Sequence, residues 1–525
     1  MAEEDHRGVA FASSEELARR IRTEDDTLTS EKLVELYFGR IEKHNDKLHA
    51  VVHWDEERTL REAREADRVV KASWEDPGIV LGPLHGVPVT IKDSWATGGM
   101  LTTSNSSMCK DYVPEHDAPC VALLRRAGAI VLGKSNLPEF AGDAQVIGSV
   151  YPRGNNPFAL DRTPGGSSGG GAAAVAAGLC ALDLGSSIGG SVEIPAAYCG
   201  LFGMKFGDAR ADRQGHVPPP PDGSTPGQAV VEHMPSPGVE TRYVEDLVLA
   251  ARALLQPPAC HWTLVDTSVA PVYWNEDAYT AAEATPSFRV AVDSTVGGVV
   301  EVTTQRLLEG LAEAMKADGS FDVLPTPDVL SKAAGASNEG TLLPAWGTLF
   351  GAQLQMTAPS SFVAMAMRWG TWTNGLAPFN SPVKRSMSDG GFYTLQQFGM
   401  ALNQRRCVQR HWRRYFDEHK LDAIVLPVAI GGVAFKHNPG QKDLPVRVAD
   451  GRTVMVHHFE YSITCTAPLN YAGIPTVVCP LGRSEDGLPV GVMIAALPFQ
   501  EEKLLAIAQR LTSVGKLAFI PPPGY

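Results

Sequence analysis

Residues 162–195, RTPGGSSGGGAAAVAAGLCALDLGSSIGGSVEIP, constrain the fold more than any other stretch of the chain. Two serine-bearing glycine clusters, Gly165-Gly166-Ser167-Ser168-Gly169-Gly170-Gly171 and Gly185-Ser186-Ser187-Ile188-Gly189-Gly190-Ser191, flank an alanine-rich segment that ends at Gly178. Glycine admits positive φ and lets a ligand approach backbone N–H groups closely. A serine at the end of such a turn can meet a carbonyl carbon while neighbouring amides face its oxygen. A flexible Gly/Ser linker shares the composition of GGSSGGG. The alanine run between the clusters argues instead for ordered, buried structure.

The bulk properties set wide bounds. A chain of 525 residues with 44% hydrophobic and 20% charged residues is globular, with ample material for a core. Its net charge of −13, without a basic run, argues against nucleic acid and anionic membranes as partners. The N-terminal stretch lacks the basic start and apolar h-region of a secretory signal. No apolar run approaches the length of a membrane span. The eight cysteines are scattered, without a C-x-x-C pair, and most sit among apolar neighbours, so most are expected to be small buried hydrophobes in a reducing, cytoplasmic setting. His457-His458 is the one paired histidine, and no ligand at metal-site spacing accompanies it.

Helical and strand-like patterns alternate along the chain. Ser13-Ser14-Glu15-Glu16 predicts a capped helix start before Leu17 and Ile21. Thr29 or Ser30 caps a second helix, with Leu33, Leu36, Tyr37 and Ile41 on one stripe. A charged surface helix follows over 56–71. Val87-Pro88-Val89-Thr90-Ile91-Lys92 reads as a strand that ends in a charge, with Pro88 suited to its first position or to an edge. Further strands are expected at 129–132, 288–292, 423–426 and 475–478, and helices at 304–315 and 501–511. The alternation implies a layered α/β protein with a mostly buried sheet. The proline-rich run 217–223 reads as a polyproline-II loop on the rim of a pocket. Residues 331–400 carry no assignable pattern.

Taken alone, Lys92 reads as a surface or snorkelling lysine. Taken with GGSSGG and GSSIGGS downstream, the strand ending in Lys92 resembles the amidase signature family of serine hydrolases. The resemblance covers most of the chain. It begins with Gly82-Pro83-Leu84-His85-Gly86-Val87-Pro88-Val89-Thr90-Ile91-Lys92-Asp93 and continues through Gly133-Lys134-Ser135-Asn136-Leu137-Pro138-Glu139-Phe140 and the serine clusters. It then extends through Thr241-Arg242-Tyr243-Val244-Glu245-Asp246 to Asn470-Tyr471-Ala472-Gly473-Ile474-Pro475 and Gly487-Leu488-Pro489-Val490-Gly491.

The resemblance implies Ser191 as nucleophile, Ser167 as relay after a cis peptide from Gly166, and Lys92 as base. Ser168 would be a supporting hydrogen-bond partner. The N–H groups of Ile188, Gly189, Gly190 and Ser191 would form an oxyanion hole, each useful donor being worth roughly 3–4 kcal/mol. Neutralising a lysine with the ordinary pKa of ~10.4 at pH ~7.4 costs roughly 4 kcal/mol, and burial lowers a lysine by up to ~3–5 pH units. A buried amine can then take the Ser167 proton while Ser167 takes that of Ser191, so no histidine is needed.

Two positions depart from the family pattern. Ser187 stands where the family usually has Asp, and Glu193 where it usually has Arg. Losing both members of a pair avoids an unmatched charge. Glu193 is therefore expected either to have a new local partner or to help admit a cationic substrate, and both residues are specificity candidates. The Lys-Pro-Thr familiar after the nucleophile turn is here Lys205-Phe206-Gly207.

The fold expected is α/β, a mixed central sheet covered by helices on both faces, formed by residues 1–525 as a single amidase domain. Within it, 1–75 is a helical arm, 76–250 the signature core and 251–525 the part that contributes pocket walls. The activity expected is hydrolysis of a small-molecule carboxamide, or a related ester or carbamate, through an acyl-enzyme. No cofactor and no metal are expected, nor nucleic acid or a membrane as partner, and a homodimer is left open. Pocket walls are expected from 142–150, the proline-rich loop and 340–400, where Trp346, Phe350, Trp369 and Trp372 would favour a hydrophobic acyl group or fill a core. Three other readings compete. Gly185-Ser186-Ser187-Ile188-Gly189 also fits a G-x-S-x-G elbow, which needs acid and histidine partners downstream. The others are one component of an amidotransferase that acts on charged tRNA with partner subunits, and a non-catalytic binding protein on the same scaffold.

Overall fold

The computed structural model describes residues 3–24, 27–216, 234–257, 269–326, 328–334, 342–356, 382–390 and 394–525. Its strands are β1 Val51–His53, β2 Pro88–Lys92, β3 Ile130–Ser135, β4 Leu182–Ser187, β5 Phe202–Lys205, β6 Ser236–Thr241, β7 Phe288–Val292, β8 Phe321–Pro325, β9 Ala423–Pro427, β10 Asp443–Arg447, β11 Thr453–His457, β12 Thr476–Arg483 and β13 Pro489–Ala495. Eleven of them form one sheet in the order β1-β3-β2-β4-β6-β5-β12-β13-β9-β7-β8, and β10 pairs with β11 separately. Pairing is parallel for β3-β2-β4 and for β9-β7-β8, and antiparallel through the rest.

The central strands are buried on both faces, and β9 and β13 accordingly read as near-continuous apolar runs. Successive side chains alternate between two cores. In β9, Ile424 and Leu426 join one core while Ala423 and Val425 join the other. In β13, Met493 and Ala495 alternate in the same way with Val492 and Ile494. This is the expected mixed sheet flanked by helices. Pro88 is the first residue of β2, and that strand is interior, between β3 and β4.

The N-terminal helices run over Ser14–Arg22, Ser30–Leu48 and Glu56–Glu75, with Ser13, Thr29 and Asp55 as their N-caps. The Arg242-to-Asp246 motif ties this arm to the sheet. Asp246 accepts the N–H groups of Ser14 and Glu15 at 2.9 and 3.1 Å. The buried Arg242 guanidinium donates to the carbonyls of Val175, Cys180 and Ala12 at 2.9, 2.7 and 3.0 Å. This stretch of the family resemblance thus has a structural role here.

The alanine-rich segment forms the buried helix Gly169–Ala176. Its first turn packs where only glycine fits: a Cβ on Gly170 would meet the backbone of Asn136 at 2.4 Å, and one on Gly171 would meet Asp183 Oδ2 at 2.1 Å. The glycine cluster meets the C-terminal end of β2 through Lys92, its last residue, whose Nζ reaches Ser167 and Ser168, and meets β4 near its end, where a Cβ on Gly185 would meet Ser168 Oγ at 2.7 Å. Crevices at the carboxyl ends of parallel strands are the usual ligand sites of open α/β sheets.

Candidate active site

Lys92 is fully buried at the end of β2. Its Nζ lies 2.7 Å from Ser167 Oγ, 3.0 Å from Ser168 Oγ and 3.2 Å from the Ser186 carbonyl. Burial pulls the amine down from the ordinary lysine value to about 7, against the opposing pull of Glu240, Asp183 and Glu193. A neutral amine has two N–H groups and one lone pair. The Ser186 carbonyl and the Ser168 hydroxyl can take the two N–H groups, which leaves the lone pair facing Ser167. The Gly166–Ser167 peptide is cis. A backbone bond from Ser168 N–H to the Ser191 carbonyl, 2.9 Å, joins the two glycine clusters. The structure therefore gathers Lys92, Ser167 and Ser168 and ties the Ser191 turn to them.

The turn after β4 is held from beneath. Ser187 Oγ accepts the N–H groups of Gly190 at 3.1 Å and Ser191 at 2.8 Å, and donates to Glu193 Oε2 at 2.6 Å. Glu193 is fully buried, and Asn470 Nδ2 and Thr476 Oγ1 donate to its other oxygen at 3.1 and 3.0 Å. Gly190 has φ +127°, and a Cβ there would meet Thr466 Oγ1 at 2.2 Å. Thr466 Oγ1 donates to the Gly189 carbonyl at 2.6 Å, and Trp346 Nε1 donates to the Ile188 carbonyl at 2.8 Å.

Two of the four N–H groups named for an oxyanion hole, those of Gly190 and Ser191, thus bond to Ser187 in this structure. The N–H groups of Ile188 and Gly189 donate to no group among the described residues. Ser187 is committed to Glu193 and the backbone, and the imidazole of His216 lies 2.9 Å from Ser186 Oγ. The arrangement does not fit Ser187 as the serine of a G-x-S-x-G elbow.

A recess opens beside Ser191. Gly166, Ile188 and Gly189 line it together with Asp143, Ile194, Trp346, Phe350, Phe459 and Ile463. Glu193 does not line it. Of the wall segments expected, 142–144 and the aromatic pair Trp346–Phe350 reach the recess, and the pair stacks with ring centroids 5.2 Å apart. Trp369, Trp372 and residues 217–223 lie outside the described residues, as does Cys260.

Sequence reasoning misses Phe459, Thr466, Asn470 and Thr476 as site residues, whereas Asp143 falls within the expected wall segment 142–150. Asn470 lies inside a recognised motif, but its contact with Glu193 spans 277 positions and leaves no local signal. Asp143 accepts a hydrogen bond from His458 Nε2 at 3.0 Å. His458 is buried there, and His457 Nδ1 accepts the Phe459 N–H at 3.3 Å. Among the described residues no group of three or more His, Cys, Asp or Glu side chains is placed to hold a metal ion. No described helix is long and apolar enough to cross a membrane.

The family model for Amidase matches residues 32–505. Among curated proteins, the chain is 31% identical to a glutamyl-tRNA(Gln) amidotransferase subunit of Moorella thermoacetica, covering 92% of each chain. It is 28% identical to the protein of the same name from Natranaerobius thermophilus, covering 93% of each. Among solved structures it is similar to native peptide amidase from Stenotrophomonas maltophilia, with a TM-score of 0.73 and 23% identity over 97% of this chain and 98% of that one.

The relatives' name corrects one expectation. The net charge of −13 points to a small-molecule substrate with no nucleic acid involved, yet the curated relatives are subunits of an enzyme named for a charged tRNA. Net charge reports on the surface of one chain, whereas within an assembly another subunit can carry the RNA contact. With the family model spanning most of the chain and the relatives similar over nearly all of it, the chain belongs to the Amidase family.

Proposed function

We propose that the chain hydrolyses a carboxamide through an acyl-enzyme, with Ser191 as nucleophile, Ser167 as proton relay and Lys92 as base. The observation that carries this reading is the Lys92 amine, fully buried and 2.7 Å from Ser167 Oγ. A lysine brought down to about 7 is half neutral near physiological pH, so its lone pair is available to a hydroxyl.

In this reading Lys92 takes the Ser167 proton as Ser167 takes that of Ser191. Ser191 Oγ bonds to the amide carbon, and the carbonyl π electrons move onto oxygen. The protons return through Ser167 to the departing nitrogen, the C–N bond breaks, and an acyl ester remains on Ser191. Water then attacks that ester by the same relay, releasing the acid. The N–H groups of Ile188 and Gly189 are the proposed oxyanion donors. The walls formed by Ile188, Ile194, Trp346, Phe350, Phe459 and Ile463 favour an apolar group next to the scissile carbonyl.

A panel of aryl, alkyl and amino-acid amides, with ammonia or amine release measured, tests the reading. Release with at least one class, abolished in Ser191→Ala, is the expected result. Absence of release throughout, together with no labelling of Ser191 by a fluorophosphonate, would favour a binding role.

The curated relatives favour a second reading, in which the chain is the amide-hydrolysing component of an amidotransferase that works on charged tRNA. Co-purification of partner subunits and ammonia transfer to a glutamyl-tRNA would establish it. The chemistry assigned to Lys92, Ser167 and Ser191 is the same in both.

A further inference from the structure

Glu193 is surrounded by donors. Ser187 Oγ–H reaches its Oε2 at 2.6 Å, the Val192 N–H reaches the same oxygen at 3.4 Å, and Asn470 and Thr476 donate to Oε1. A carboxylate, which only accepts, satisfies all of them at once. Because the single proton of Ser187 points to Glu193, the lone pairs of Ser187 are left to receive the N–H groups of Gly190 and Ser191. Donation therefore runs one way, from the backbone of the Ser191 turn through Ser187 to Glu193.

We propose that Glu193 is a positioning residue: by orienting the Ser187 hydroxyl it fixes the turn that presents Ser191. The proposal rests on the reading of Ser191 as nucleophile. Glu193 is fully buried and lines no part of the recess, so among the described residues no opening leads a cationic substrate to it, and the new local partner anticipated for Glu193 is Ser187.

The polarity of the network makes the substitutions informative. In Glu193→Gln, one orientation of the amide aims N–H at Ser187, which already receives two N–H groups, and turns the Ser187 proton toward Asn470 Oδ1 at 3.3 Å. The other orientation aims N–H at Asn470 and Thr476, which are donors themselves. Either way a buried donor faces a donor. Ser187→Asp/Glu193→Gln restores the bonds of Gly190, Ser191, Asn470 and Thr476 with the charge moved, and gives up only the long Val192 contact of 3.4 Å. The carboxylate placed at position 187 would accept from Gly190, from Ser191 and from the amide N–H introduced at position 193. The carbonyl of that same amide would accept from Asn470 and Thr476.

The experiment measures the rate at which a fluorophosphonate labels Ser191, together with kcat, KM and Tm, in the full-length wild type, Ser187→Ala, Glu193→Gln and the double variant. Each single variant is expected to lower the labelling rate and kcat about 10- to 100-fold with KM changed less than about 3-fold, the range set by losing a charge-assisted hydrogen bond. The double variant is expected to recover to within about 5-fold of wild type, as compensated pairs in one network do. A role in stability alone would lower Tm and leave the labelling rate of the folded fraction unchanged, which overturns the proposal.

If Glu193→Gln does not fold, Ser187→Ala decides, since it removes one oxygen. Labelling of that variant at the wild-type rate overturns the proposal, and slowed labelling supports it. A double variant that is folded but as slow as the singles also overturns it. Wild-type protein that neither labels at Ser191 nor hydrolyses any amide instead removes the nucleophile assignment on which the proposal stands.

Discussion

Lys92 Nζ lies 2.7 Å from Ser167 Oγ, with the lysine shut off from solvent. Burial lowers the amine's pKa, because the charged form loses its hydration and the neighbouring carboxyl groups only partly compensate. In the proposed reaction the active form is the neutral amine, so kcat/KM should be flat above about pH 7 and fall up to about tenfold per pH unit below it. A pH–rate profile checks this, and an unchanged rate down to about pH 5 would exclude Lys92 as the base.

Ser167 and Ser191 should separate kinetically. Ser191→Ala should lower turnover by at least about 1,000-fold and abolish fluorophosphonate labelling, since no group remains to carry the acyl chain. Ser167→Ala should leave Ser191 labelled, but about 100- to 10,000-fold more slowly, the range for removing a positioned proton carrier. Equal labelling in Ser167→Ala and wild type would remove the relay.

Phe350 should act on binding. It lines the recess and stacks on Trp346 without a polar contact to the turn. Phe350→Ala should raise KM for aryl and long alkyl amides about 10-fold and leave kcat within about 3-fold, the pattern of lost uniform binding. Steady-state kinetics on acetamide and an aryl amide give the contrast. An equal change for both would place Phe350 in the core alone.

Gly190 should be intolerant of any side chain. Its φ of +127° disfavours an L residue, and a Cβ would also meet Ile194 Cδ1 at 2.8 Å besides the Thr466 hydroxyl. Gly190→Ala should reduce turnover by about 100-fold or more and lower Tm by several degrees. Calorimetry alongside kinetics tests both parts, and wild-type turnover in this variant would argue against a fixed turn.

How far the sequence foretells the structure depends on where polar groups go. The strand at Ala423–Pro427 is visible because its residues are apolar on both faces, and Phe288–Val292 because only Arg289 interrupts its apolar run. β4 and β6 are as deeply buried yet show no strand pattern, since they carry Asp183, Ser186, Ser187, Ser236 and Glu240. Inside the fold, Asp183 accepts the Thr90 hydroxyl at 2.7 Å and fits against Gly171, a match that no local pattern displays. The glycine–serine clusters mark the site because tight turns need particular residues in fixed order. Glu193 stands out in the sequence as a departure, but the partners that explain it, Asn470 and Thr476, come from the far end of the chain.

The nucleophile assignment is tested most directly by the identity of the serine that a fluorophosphonate modifies, read by mass spectrometry of the intact protein and its peptides between about pH 6 and 9. A single adduct on Ser191 is expected, formed faster as pH rises through about 7 and lost in Ser191→Ala. An adduct on Ser186, Ser187 or Ser168, or labelling of Ser191 that ignores pH across that range, would contradict it.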